Sequence, residues 1–379
     1  MENLICTEFL LYKKVDICLV VDENTTDNNN NLELLNNIME DDMFSDKISV
    51  LERKNKNLKN CEDGFGKKIA FARLEIDDFK ILFDNYIKDN KNMFLRVVGN
   101  GVGNEVNINN LIKNYHGINI ESLVDRLIIS NSVIDSKNII KSMVQLIKNY
   151  DINDYLECYI TNNEFKRTLG YYNCLDNCDI YKKNLNGDDK LQVNNVTFIN
   201  IEKESTKYYH INSADDNKLE LMGVLEIGEY TFLGLYRTID ANISLNLSDI
   251  TDSMQEGNIE ICDQLVKDIY GQSYMEANLN ENVVASSLGK LQFINSEQKS
   301  SISSKDLLKS ITILLSTSII QKGLVHSQIT NKRNIIISGF VTNFPKIMAS
   351  IYNTLRVLSN NEINVYFLKS EINLSLIDI

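Results

Sequence analysis

Tryptophan is absent from this chain and proline occurs once in 379 residues, beside many Asn, Ile and Lys. That bias is compositional, and no function follows from it. Basic clusters are scarce and short, at 54–59 and 67–68. With a net charge of −13 and a pI near 4.9, this excludes duplex DNA, RNA or an anionic membrane surface as the main partner, since a phosphate-reading surface needs clustered Lys and Arg. A disulfide framework is also missing: seven cysteines lie at 6, 18, 61, 158, 174, 178 and 262, an odd number without paired spacing, as in a reducing, cytoplasmic setting. Cys174 and Cys178 have metal-ligand spacing, but no second Cys/His pair follows and His210 stands alone downstream, so no metal is expected. Glu8, Lys13, Lys14 and Asp16 interrupt the apolar N-terminus, which removes a signal-peptide core, and no run approaches a membrane span.

What is present is a chain that is 43% hydrophobic and long enough for two or three packed domains. "CTEFLLY" and "VDICLVV" read as strands joined by a Lys-Lys turn, "LELLNNIME" as a short helix, and "KKIAFARLEI" as an alternating strand. Helical spacing follows at Phe79, Leu82, Phe83 and Tyr86. "NMFLRVVGNGVGNE" is a strand running into a glycine turn, and the amphipathic "NIESLVDRLIISN" comes after it. The stretch from 150 to 192 is polar and irregular. A second strand set then runs from "NNVTFINIE" through "KYYHIN" to "LELMGVLEIGEYTFLGLYRTI". "SSKDLLKSITILLSTSIIQKG" is a helix with Ser304 as N-cap and Leu307, Ile311, Leu315 and Ile319 on one face. The strand "RNIIISGF", a helix from Pro345 with Ile347, Ile351 and Leu355 inward, and the strand "INVYFLKS" close the chain. Strands alternating with helices predict an α/β protein. Both halves repeat one plan, which predicts a duplicated two-domain architecture with a cleft, divided into residues 1–190 and 191–379.

Isolated chemical signals are weak. Gly99, Gly101 and Gly103 follow a strand and suit a phosphate cradle, yet they form neither the Walker pattern nor the dinucleotide fingerprint. They equally make a tight turn, with Glu105 beside them as a general-base candidate. No nucleophile elbow and no Cys/His constellation appears. The more particular stretch is "LVKDIYG", then "VVASSLG", then "SISSKDLLKS". It resembles the eukaryotic-type pantothenate kinases, which carry L-V-[KR]-D-I-Y-G, A-V-A-S-S-F-G-N and S-[IV]-S-K-E-D-L-A. "TFLGLYR", "IIISGFVTNF" and "VYFLKSE" extend the resemblance over residues 220–379, with a weaker similarity over 66–130.

The resemblance implies a duplicated fold of the acetate- and sugar-kinase, Hsp70 and actin kind (ribonuclease H-like). It also implies ATP- and magnesium-dependent phosphorylation of pantothenate, towards coenzyme A, by a dimer. In such a family the V-A-S-S stretch lies near the dimer interface, where its Val-Ala pair lines the neighbouring subunit's pocket. Here that pair is Val284 and Ala285, with Ser286, Tyr274 and Thr206 as further pocket residues.

The phosphate loops depart from the family. D-I-G-G-T has no glycine counterpart in "ICTEFLLYKK", and N-I-G-S-G-V-S becomes "NIEKEST", with Glu202, Lys203 and Glu204 in place of two glycines and a serine. T-S-L-G-G-G-T-F becomes "LEIGEYTF", with Glu229 and Tyr230 for glycines, and the family's preceding arginine falls on Leu221. T-G-G-G-A becomes "VGNGV", the family's catalytic glutamate falls near Val106, one step from Glu105, and N-N-I-G becomes Thr317–Ile320. A carboxylate about 4 Å from a phosphate charge costs about 4 kcal/mol at an effective dielectric of 20, roughly a thousandfold in affinity. The expectation is therefore a catalytically degenerate subunit that pairs, as homo- or heteromer, with an active pantothenate kinase. Two alternatives stand beside it. One is a divergent active kinase using Glu105, the loop from Gly99 to Gly103, and Arg237 or Lys203 as the cation. The other is an acyl-coenzyme A-binding sensor.

Overall fold

The computed structural model describes residues 3–9, 14–21, 29–52, 68–87, 93–99, 127–131, 156–161, 180–183, 196–212, 218–241, 250–252, 256–277, 279, 281–295, 302–359 and 362–369. The chain forms two compact units, residues 1–152 with 370–379, and residues 153–369.

The first unit holds β1 (Asn3–Phe9), β2 (Lys14–Val21), α1 (Asn29–Glu40), β3 (Ile48–Glu52), β4 (Lys68–Glu75), α2 (Ile76–Leu82), β5 (Met93–Gly99) and β6 (Leu127–Asn131). Its sheet runs in the order β3-β4-β2-β1-β5-β6. β2 pairs antiparallel with β1 and β4, while β1–β5 and β5–β6 are parallel. One sheet face is apolar by strict alternation: Val15, Ile17 and Leu19 from β2 and Ala70, Ala72 and Leu74 from β4 pack with Leu34, Leu35 and Ile38 of α1 and Phe79 and Leu82 of α2. On β2, Asp16 is fully buried and binds Arg73 of β4, with Nε and Nη2 2.5 and 2.6 Å from its two carboxylate oxygens.

The second unit repeats the plan. It contains β7 (Leu156–Thr161), β8 (Ile180–Lys183), β9 (Val196–Ile201), β10 (Thr206–Asn212), β11 (Lys218–Leu225) and α3 (Glu229–Ile239), followed by α4 (Ile259–Cys262), β12 (Gln264–Leu265), α5 (Val266–Tyr270) and β13 (Val284–Ser286). Then come α6 (Ser304–Ile329), β14 (Asn334–Gly339), α7 (Pro345–Leu358) and β15 (Asn364–Leu368). The sheet order is β11-β10-β9-β14-β15-β7-β8, with the first three strands antiparallel and β9–β14–β15 parallel. The core order and sense, third-second-first-fourth-fifth, are common to both units (β4-β2-β1-β5-β6 in the first). That is the arrangement of a duplicated ribonuclease H-like, actin-type α/β fold.

Several sequence expectations change in detail. The division falls at 152/153 rather than 190/191, because β7 pairs with β15 and so joins the second sheet. The stretch from 150 to 192, read as irregular, supplies β7 and β8, and the amphipathic "NIESLVDRLIISN" ends in strand β6. "EYTFLGLYRTI" is not strand but helix α3, whose Phe232, Leu233 and Tyr236 form one buried stripe. The N-cap of α6 is Ser303, one residue before the expected Ser304, with its Oγ accepting from Asp306 N at 3.2 Å. Among the described residues α6 alone is long and apolar enough to cross a membrane, although no run of that kind was expected, and 67% of its apolar window is buried within the protein. It is a core helix. No group of three or more His, Cys, Asp or Glu that could hold a metal occurs among the described residues. Cys174 and Cys178 lie outside them.

Candidate functional site

In sheets with parallel neighbours, ligand sites collect at the carboxyl ends of the strands. In the second unit these ends belong to β9 and β14, which pair in parallel up to Ile201 and Gly339. Gly339 is required here. Its φ is +98°, in the left-handed region, and a Cβ would stand 2.0 Å from the Ile201 carbonyl oxygen. β9 continues through a tight turn into β10, with Glu202 N donating to the Ser205 carbonyl at 2.9 Å. This turn is the stretch expected, on the resemblance, to stand in place of a phosphate loop.

The turn folds onto the N-terminus of α3. Glu229 N donates to the Glu202 carbonyl at 2.9 Å and Tyr230 N to the Lys203 carbonyl at 2.8 Å. Gly228 N donates to Thr231 Oγ1 at 3.2 Å. Free N–H groups at a helix N-terminus attract anions, and here carbonyl oxygens of the chain already occupy two of them. Gly228 lets the turn approach, since a Cβ at that position would lie 2.5 Å from both the Glu202 and Lys203 oxygens. Glu229 is buried at the first helical position, where a carboxylate complements the helix dipole.

A second set of contacts holds the Glu202 side chain. Ser338 Oγ donates to Asn200 Oδ1 at 2.6 Å, and Asn200 Nδ2 donates to Glu202 Oε1 at 3.1 Å. Lys207 Nζ lies 2.7 Å from Glu202 Oε2. The amide and the ammonium that a phosphate would need thus both face a carboxylate of the chain itself. Glu204, exposed, adds further negative charge on the turn. Within this turn the Glu229 and Tyr230 N–H groups, the Asn200 amide and the Lys207 ammonium are already bonded to oxygens of the chain. Asn200, Lys207 and Ser338 were not picked out from sequence. Asn200 was legible only as part of the altered loop, and Ser338 comes alongside only through the β9–β14 register.

The expected site residues fall in different places. Thr206 is fully buried, and its Oγ1 donates to the Ile227 carbonyl at 2.7 Å, so its hydroxyl ties the turn to the approach of α3. Arg237 is exposed eight residues along α3, roughly 12 Å from the helix start at 1.5 Å per residue, and does not converge on the turn. Lys203 sits in the turn, and Leu221, at the family's arginine position, is half exposed on edge strand β11. Gly99 ends β5. Gly101, Gly103, Glu105 and Val106 lie outside the described residues.

Tyr274, Val284, Ala285 and Ser286 come together in one segment. β12 pairs antiparallel with β13, Gln264 opposite Ser286 and Leu265 opposite Val284. Val266 N donates to the Val283 carbonyl and Lys267 N to the Glu281 carbonyl, each at 2.8 Å. Fully buried Asp263 accepts from Leu288 N at 2.8 Å, and burial raises its pKa above the ordinary aspartate value. Burial, with Asp306 and Asp263 nearby, pushes the Cys262 thiol up to about 11, which makes it inert at neutral pH. Ala285 and Ser286 are exposed and Val284 half-buried. Tyr270 and Tyr274 stack with centroids 4.6 Å apart and planes 6° from parallel.

The Fumble family model matches residues 210–377. A pantothenate kinase of Schizosaccharomyces pombe is 28% identical over 158 residues, 41% of this chain and 38% of the relative. A 4'-phosphopantetheine phosphatase of Mus musculus is 26% identical over 157 residues, 41% of this chain and 18% of the relative. The chain thus matches well under half the length of either protein. Among solved structures, a non-polymerisable ParM quadruple mutant is similar at 13% identity and a TM-score of 0.32, with 99% of this chain and 97% of that one covered. Glucokinase from Balamuthia mandrillaris in complex with glucose is similar at 9% identity and 0.33, with 99% and 91% covered.

Proposed function

This chain belongs to the pantothenate kinase family through residues 210–377, and on that premise we propose that it is a non-phosphorylating subunit which partners an active kinase of the same family. The observation that carries the proposal is the self-capping of α3: the N–H groups of Glu229 and Tyr230 are bonded to the carbonyls of Glu202 and Lys203. Phosphoryl transfer depends on positioned donors and cations around the transferring group. In this turn the donors are already engaged, and Lys207 neutralises Glu202. One relative is named as a kinase and another as a phosphatase, so membership alone does not entail pantothenate phosphorylation.

The segment from β12 to β13 supports the pairing half of the proposal. It keeps the family-like residues, is tied to its own unit by buried Asp263, and leaves Ala285 and Ser286 exposed. A subunit that has lost its own phosphate loop and retained the surface it would lend to a neighbour acts on that neighbour's site. The direct test incubates the purified chain with magnesium-ATP and pantothenate and follows 4'-phosphopantothenate by mass spectrometry. No product above the enzyme-free control is expected over hours. Product that scales with protein and disappears in Gly228→Trp, a variant that blocks the turn, would overturn the non-phosphorylating reading.

A further inference from the structure

The second half of α6 packs on β10 and β11, the last two strands of the second sheet, and helix and sheet each bring one histidine there. Tyr208 of β10 donates its hydroxyl proton to the Ile319 carbonyl at 2.9 Å. Lys322 Nζ donates to the Val224 carbonyl of β11 at 2.5 Å and lies 5.5 Å from the centre of the Tyr208 ring. The His326 ring packs on the same tyrosine and abuts Gly223, where a Cβ would stand 2.9 Å from Nε2. His210 follows two positions along β10, opposite Thr197 of β9 and Glu220 of β11. Lys332 is folded back on the helix end, its N–H donating to the Ser327 carbonyl at 2.8 Å and its carbonyl accepting from Ser327 Oγ at 2.7 Å.

His210 Nδ1 and His326 Nε2 are both buried, and neither has a hydrogen-bond partner among the described residues. A neutral imidazole carries one nitrogen without a proton, whereas an imidazolium donates from both. Charging either ring here therefore creates a buried donor with no acceptor, which is the costly kind of polar burial. The neighbouring charges add to that cost. Lys322 faces His326 and Lys332 faces His210, while Glu220 is the one carboxylate that favours a charged His210, and it is exposed. Tyr208, the remaining titratable side chain at the contact, is buried and stays neutral, its pKa raised by burial.

We propose that His210 and His326 form an acid-sensitive latch: when both are charged, the β10–β11 hairpin and the end of α6 open locally, while β14 and β15 stay paired. Each ring binds its proton more tightly once the contact is open, so the latch is closed above the ordinary histidine range and loosens as pH falls through it. Local opening of this kind draws on the less stable parts of a fold, and an outer hairpin held by a few polar contacts is such a part. None of these residues belongs to the turn at 202–205, so the latch stands apart from the question of phosphorylation.

The test is hydrogen exchange of the full-length chain, read by mass spectrometry at pH 7.5 and pH 5.0 with times scaled for the intrinsic exchange rate. Protection in β10, β11 and the last turns of α6 is expected to fall at least tenfold at the lower pH, since each released ring contributes up to about a decade per pH unit. Protection in β14 and β15 is expected to change less than twofold. The double variant His210→Gln with His326→Gln should lose most of the local difference. A uniform loss across the second unit, no loss, or the same local loss in the double variant would each overturn the proposal. A second measurement needs no variant: the chain has three histidines, and proton resonances should show at least two of them titrating below the ordinary histidine value. Fewer than two depressed titrations would also overturn it.

Discussion

Gly228 is the residue on which the altered turn rests. Its missing side chain lets the Glu202 and Lys203 carbonyls reach the first N–H groups of α3. Gly228→Ala introduces a Cβ about 2.5 Å from those oxygens, and overpacking of this kind typically costs about 1–3 kcal/mol. The expected outcome is a lower urea midpoint with an unchanged denaturant slope; an unchanged midpoint would show that the turn does not pack against the helix in solution. Little of this was legible in the residue string. The replacement of glycines by Glu202, Glu204, Glu229 and Tyr230 could be read directly. What those side chains do could not. Glu202 turns towards Asn200 and Lys207, and Thr206 spends its hydroxyl on the Ile227 carbonyl, because the contacts are set by a hairpin whose partners lie up to 138 positions away, as between Asn200 and Ser338.

Helix α6 shows what can be read at the level of elements. Of the face expected from its apolar spacing, Ile311, Leu315 and Ile319 are buried, while Leu307 is half-buried. Burial round much of its first half, including Lys309, whose Nζ donates to the Gly257 carbonyl at 2.9 Å, follows from neighbours on several sides, while Val325 and Ile329 near its end are exposed. The same limit explains α3: its apolar stripe has helical period, but the adjacent strand-like "LELMGVL" concealed where one element ended. Near the end of α6, His326 packs against Gly223 and the Tyr208 ring, whose centroid is 5.2 Å away. Burial, then Lys322, lower its pKa below the ordinary 6.5. His210, half-buried, is lowered in the same way, by burial and then by Lys332. A base with a depressed folded-state pKa is protonated first in the unfolded chain, so its stabilisation is complete above 6.5 and declines as pH falls through that value. Urea midpoints measured from pH 7.5 to 5 should therefore fall on acidification. His326→Gln should flatten part of that decline, and an equally steep profile in the variant would contradict the assignment.

The whole molecule combines two units of one strand order with a turn that bonds its own donors. The repeat of strands and helices made the duplication legible, and the two units share one core strand order. The boundary was not legible, since β7 and β8 enter the second sheet through pairing with β15 and with each other, a contact that composition does not signal. The account predicts that the intact chain does not bind magnesium-ATP. The measurement that tests this most directly is a calorimetric titration of the folded protein with magnesium-ATP to millimolar concentration. A flat trace at 25 °C and again at 10 °C is the predicted result. A saturable signal that Gly228→Trp abolishes would contradict it, and would mean that the turn at 202–205 opens to admit the phosphates.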